Sequence, residues 1–85
     1  MGKISFTGRW REELVATSDE GVLIFEFPGH KEVYMPMAEC WKDQVPAWAK
    51  DKWEEYKTAC SEWCAKERLK IFFVHDSYVS EEKRA

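Results

Sequence analysis

The fold of this chain depends most on the run Val22-Leu23-Ile24-Phe25-Glu26-Phe27. Its β-branched and aromatic residues favour a strand, and Gly21 and Pro28 on either side indicate turns. Successive side chains of a strand point to opposite faces, and here both faces are mostly apolar. A strand with one face in water would alternate apolar and polar residues instead. We therefore expect both faces of the sheet to be covered at this strand.

Neighbouring segments predict further strands around this run. Ser18-Asp19-Glu20-Gly21 is typical of a turn, so residues 13–17 should pair with the central strand as a hairpin. A second reversal at Pro28-Gly29 leads into another strand at residues 32–37. These segments predict an antiparallel arrangement in the first half of the chain.

The strands near the two ends of the chain are predicted less clearly. Residues 8–16 allow two interpretations, a strand or a short helix. We favour the strand because apolar and polar residues alternate over residues 4–10. Near the C-terminus, residues 70–79 predict a last strand, with the apolar part Ile71-Phe72-Phe73-Val74 again apolar on both faces.

The segment from Pro46 to Leu69 has the longest helical periodicity in the chain. Proline is well tolerated in the first turn of a helix. At about 100° of rotation per residue, the large apolar side chains fall within one arc roughly 160° wide, with the charged side chains opposite. The arc includes Trp48, Trp53 and Trp63. The pattern predicts one long amphipathic helix that packs its tryptophan-rich side on the sheet.

Together these elements predict an α+β fold in the order β-β-β-β-α-β. The antiparallel sheet should have four or five strands, with the helix packed on one face. A length of 85 residues allows a single domain. We expect this domain to span residues 1–79 and the polar residues 80–85 to be a frayed tail. In size and composition the chain resembles many small α+β proteins of bacteria and their mobile elements.

Composition excludes several classes of function. The formal charge is −3 and the charges of both signs are mixed along the chain, unlike the clustered basic surface of a nucleic-acid-binding protein. No apolar run approaches the ~20 residues of a membrane span. Three cysteines are an odd number, and a small secreted domain would pair its cysteines. We expect reduced, mostly buried thiols and a cytoplasmic location.

Metal and catalytic motifs are weak. Cys60 and Cys64 could supply zinc ligands together with His75, Cys40 or His30, but a Cys-x₃-Cys spacing is more typical of small apolar side chains on one helix face. His75 and Asp76 are adjacent on a strand, so their side chains should point apart and cannot form a simple dyad. We predict no metal, no cofactor and no catalytic residue.

One alternative function is a ligand site or a small active site between the helix and the sheet. The pocket would be lined by Trp53, Trp63 and Phe73, with Glu67 or His75 as its polar group. Glu67 is the notable member of this set, because the helical periodicity places its carboxylate on the apolar side.

The favoured function is a non-enzymatic binding protein that acts through protein contacts. Exposed apolar faces commonly mark partner surfaces, and aromatic residues and Met are enriched there. We expect a homodimer, because a second copy of the chain can cover the second sheet face. The predicted interface residues are Phe25, Met35, Ile71, Phe72, Phe73 and Val74.

Overall fold

A computed structural model describes residues 4–9 and 12–82 of the chain. In these ranges the protein forms six strands and two α-helices. They are β1 (Ser5–Arg9), β2 (Glu13–Thr17), β3 (Val22–Glu26), β4 (Glu32–Pro36), α1 (Ala38–Trp41), α2 (Trp53–Glu67), β5 (Lys70–Val74) and β6 (Val79–Glu82). Short 3₁₀ turns occur at Pro28–His30 and Ala47–Ala49. The predicted α+β class, with one main helix packed on a mostly antiparallel sheet, is confirmed. Residues 8, 9 and 12–16 contain no helix, as favoured, and Trp10 and Arg11 lie outside the described residues.

The sheet divides at β3. Strands β1, β2 and β3 form an antiparallel meander, in which residues 13–17 pair with residues 22–26. The other edge of β3 is shared between two strands. Residues 22–25 pair with β6, and Glu26 pairs with Tyr34 of β4.

Strands β4 and β5 are parallel, so the prediction of a wholly antiparallel sheet is wrong at this pair. The chain between them passes through α1 and α2 and returns to the same end of the sheet. Parallel neighbours need such a crossover, and a helix usually supplies it.

The main helix begins at Trp53, seven residues later than predicted. Pro46 has an extended backbone, and the chain before α2 is instead folded around Trp41. The indole N–H of Trp41 donates to the carbonyl oxygen of Ala49 at 2.7 Å, and both residues are fully buried. This tertiary contact replaces the first two helical turns that the local sequence favours.

The C-terminal segment also differs from its prediction. Residues 80–82, expected in a frayed tail, belong to β6 and pair with β3, while residues 83–85 lie outside the described residues. Val79 is buried at the start of β6 and its backbone N–H donates to the side-chain oxygen of Gln44 at 3.1 Å. Because a strand ladder is made by backbone groups, the polar side chains of β6 do not prevent it.

The core lies between the sheet and the two helices. Trp41 is at its centre, with its ring 6.1 Å from Phe25 of β3 and 5.6 Å from Tyr56 of α2. Buried residues from β2, β3, β4 and α2 belong to the same core, among them Leu14, Leu23, Val33, Met35, Cys60 and Cys64.

The face of the sheet turned away from α2, here called the outer face, is closed over β3 by the chain itself. Val22 and Ile24 point to this face and are only 5% and 7% exposed. On the same face Arg9 of β1 forms ion pairs with Glu13 of β2 and with Glu82 of β6. The hydrogen bonds to Glu82 and Glu13 raise the pKa of the Arg9 guanidinium. Since β2 and β3 lie between β1 and β6, this contact means that the sheet curls toward its outer face.

Candidate functional site

The exposed part of the outer face lies on β4 and β5. The helix packs on the side of Ile71 and Phe73, so Phe72 and Val74 point outward. Phe72 is 39% exposed, which is unusual for a phenylalanine in a sheet. Tyr34 stands opposite it in the parallel register, with 5.7 Å between the two ring centroids. The two rings form an aromatic pair in which Phe72 is exposed and Tyr34 is half-buried.

A cavity of about 480 Å³ opens beside this aromatic pair. We call it the outer-face cavity, and its lining residues are Glu26, Tyr34, Phe72, Val74 and Asp76. The five come from three strands and from the turn after β5. Two of them carry carboxylates, and none carries a positive charge.

Negative charge continues around the aromatic pair. The Tyr34 hydroxyl donates to a carboxylate oxygen of Glu32 at 3.2 Å. The charge of Glu32, followed by partial burial, raises the pKa of Tyr34. Glu26 accepts the backbone N–H of Tyr78 at 3.3 Å, and Tyr78 is itself 58% exposed. The site is therefore an aromatic floor with an acidic rim, a combination suited to holding a cation.

The pocket predicted between helix and sheet is not assembled. Trp53 donates its indole N–H to the carbonyl oxygen of Pro36 at 2.9 Å and packs its ring 6.1 Å from Phe73. Trp63 instead contacts Phe6 and Phe27, at 5.8 and 5.9 Å. The structure thus brings Trp53 and Phe73 together but gives Trp63 different neighbours.

The two polar residues of that predicted pocket lie at the surface. Residues 65–68 are all exposed, so Glu67 lies in water in the last turn of α2. His75 follows the end of β5, and its side chain is 65% exposed. Helical periodicity places Glu67 on the same side of α2 as the buried Cys60 and Cys64, but it does not indicate that the last turn of the helix is exposed.

The six predicted interface residues fall into three groups. Phe25 and Met35 are 1% and 0% exposed in the core, so a partner cannot reach them without unfolding. Ile71 and Phe73 are half-buried against the core. Phe72 and Val74 line the outer-face cavity.

The other lining residues, Glu26, Tyr34 and Asp76, are not predicted from the sequence as members of one site; Asp76 is considered there only as a neighbour of His75. The alternation of apolar residues in the last strand indicates that Phe72 and Val74 share a face. Tyr34 joins them only through the parallel pairing of β4 with β5, which local patterns do not reveal.

A second cavity of about 450 Å³ lies between the β2–β3 turn and the start of α2. Its polar groups bind one another. Lys52 forms an ion pair with Glu20 at 3.0 Å, and the Tyr56 hydroxyl lies 3.3 Å from Ser18 Oγ. The hydrogen bond to Glu20 raises the pKa of Lys52. This arrangement fastens the turn to the helix.

The three cysteines have different environments. Cys60 and Cys64 are buried in the core, where their hydrogen bond and burial raise the pKa of Cys60. Cys40 is half-exposed on α1. Within residues 4–9 and 12–82, no group of three or more His, Cys, Asp or Glu side chains is arranged to hold a metal ion.

Comparison with known proteins gives no match to a family model, to a curated protein or to a solved structure. In the described part of the chain, no helix is both long and apolar enough to cross a membrane. The fold and the site define a small α+β domain with an acidic, aromatic surface on its sheet.

Proposed function

We propose that this protein is a non-enzymatic interaction module that binds a positively charged segment of a protein partner on β4 and β5. The observation that carries the proposal is the Tyr34–Phe72 ring pair, with its exposed Phe72 ring, beside the carboxylates of Glu26 and Asp76. An Arg or Lys side chain in the outer-face cavity would place its cation over an aromatic face and beside a carboxylate.

The edge of β5 offers backbone groups to the same partner. In the described residues, β5 pairs with β4 alone, so its other edge is open. An extended segment can add to such an edge through main-chain hydrogen bonds, while alternate side chains enter pockets on one face. Side chains on the outer face of an added strand would reach the cavity beside Phe72.

Charge favours a cationic partner over a second copy of the chain at this surface. In a symmetric dimer through the outer face, Glu26, Glu32 and Asp76 of one copy would approach the same carboxylates of the other. Like charges that meet at an interface oppose association. We therefore infer that the predicted homodimer forms more weakly than the complex with the partner and competes with it for the same surface. The three free thiols support a reducing compartment, such as the cytoplasm, for both states.

Binding of a fluorescein-labelled hexa-arginine peptide tests the proposal by fluorescence anisotropy. Phe72→Ala should weaken binding about three- to tenfold, the effect of losing one cation–aromatic contact. Asp76→Asn should also weaken it, and added salt should weaken binding to the unmodified protein.

Glu62→Gln is the matched control, because it removes one negative charge from an exposed position on α2. Equal losses of affinity from Asp76→Asn and Glu62→Gln would mean that peptide binding depends only on the overall charge of the protein. Unchanged binding in Phe72→Ala would contradict the proposed site.

A further inference from the structure

The structure brings Cys40 and His75 together from distant parts of the chain. The sulfur of Cys40 lies 3.7 Å from Nδ1 of His75, although the two residues are 35 positions apart. The same nitrogen is 3.7 Å from a carboxylate oxygen of Glu39. A thiol, an imidazole and a carboxylate therefore meet at the surface, away from the core and outside the lining of the outer-face cavity.

This contact is held by Gln44. Its side-chain amide nitrogen lies 3.4 Å from the carbonyl oxygens of Cys40 and Ser77 and donates toward both, and its side-chain oxygen accepts the N–H of Val79. One side chain thus ties α1 to the connection between β5 and β6. Since His75 begins that connection, Gln44 keeps the imidazole beside the thiol.

Cys40 also differs from the other two cysteines in its burial. Cys60 and Cys64 belong to the buried core, whereas Cys40 is half-exposed and lies outside that cluster. A buried cysteine acts as a small apolar side chain. An accessible thiol next to an imidazole has the surroundings of a reactive one.

We propose that Cys40 is a reactive thiol that exchanges with low-molecular-weight disulfides, with His75 as its base. His75 accepts the thiol proton, and the Cys40 thiolate attacks one sulfur of the small disulfide. The disulfide bond breaks as the bond to Cys40 forms, and the other half leaves as a thiolate and takes up a proton. Cys40 is oxidised to a mixed disulfide, and one half of the small disulfide is reduced to a thiol.

The test follows the reaction of native protein with an aromatic disulfide, 5,5′-dithiobis(2-nitrobenzoic acid), by absorbance, and with glutathione disulfide by mass spectrometry of the digested protein. One thiol should react rapidly, and the modified peptide should contain Cys40. The other two thiols should react only on denaturation. Cys40→Ser should remove the rapid phase.

His75→Ala should slow the rapid phase about threefold, because the variant lacks the base that accepts the thiol proton. His30→Ala is the matched control, since His30 is exposed and stacks on Phe27 instead. Circular dichroism confirms that each variant is folded. The proposal is overturned if Cys40 reacts equally fast with and without His75, or no faster than a cysteine in an unstructured peptide.

Discussion

Trp41 shows how much a single residue contributes in so small a domain. It is fully buried, contacts aromatic rings of β3 and α2, and satisfies the carbonyl oxygen of Ala49 with its indole N–H. Trp53 and Trp63 also join helix and sheet, but both are only half-buried. Sequence periodicity singles out Trp53 and Trp63, whereas the structure places Trp41 at the centre.

We predict a graded loss of stability among these tryptophans. Trp41→Ala should lower the free energy of unfolding by about 3–5 kcal/mol, because it removes a large buried ring and leaves a buried carbonyl unpaired. Trp53→Ala and Trp63→Ala should each cost less, because their rings lose less buried contact. Urea unfolding followed by circular dichroism measures all three. A Trp41→Ala variant as stable as Trp63→Ala would contradict this assignment of the core.

Among the elements, the end of α2 is unusual because the residue that follows the helix has a left-handed backbone and is not glycine. Arg68 has a left-handed backbone, with φ 61° and ψ 41°, and its N–H bonds back to the carbonyl oxygens of Ala65 and Cys64. The N–H of Leu69 also bonds to the carbonyl oxygen of Cys64. This is the geometry in which helices commonly end, and glycine is the residue that adopts it without strain.

Arg68→Gly should therefore stabilise the protein, by roughly 1 kcal/mol. Lys66→Gly is the paired control, because it introduces glycine inside α2 and should destabilise by about 1 kcal/mol. Thermal unfolding of both variants gives the sign of each effect. If both substitutions destabilise the protein, the predicted benefit of glycine at position 68 is wrong, and glycine is disfavoured at the end of α2 as well as inside the helix.

The strands differ in how far local patterns predict them. Residues 13–17 form β2 as predicted. The signals that predict this strand are local: alternating apolar and polar side chains, and the turn at residues 18–21. β6 is missed because its pairing with β3 uses backbone groups, which no side-chain pattern reports. The start of α2 is predicted too early because Ala49 is held in the core by a hydrogen bond to Trp41, a residue that lies outside the predicted helix.

At the scale of the whole molecule, the homodimer stays a prediction. Of the residues predicted for its interface, Phe25 and Met35 are buried, whereas Phe72 and Val74 line the outer-face cavity. Association through this surface must overcome repulsion between two acidic rims. Salt screens such repulsion, so the mass from light scattering should rise toward twice the 10.1 kDa of one chain as salt is added. Phe72→Glu should keep the mass at that of one chain.

Partner binding should show the opposite dependence on salt, because it depends on attraction between unlike charges. Since both equilibria use the same surface, hexa-arginine should reduce the mass of any dimer. A mass of 10.1 kDa at every salt concentration would contradict the predicted homodimer but not partner binding.

Local information in the chain is enough to establish the α+β class, the first four strands, the existence of one main helix and the shared face of Phe72 and Val74. Each follows from periodicity, turn residues or charge over a few consecutive positions. The parallel pairing of β4 with β5, the divided edge of β3 and the central place of Trp41 arise only when the chain is folded. So do the Tyr34–Phe72 ring pair and the contact of Cys40 with His75. The reason is that alternation assigns a side chain to a face, while the neighbour across the strand or loop depends on contacts between residues far apart in the chain.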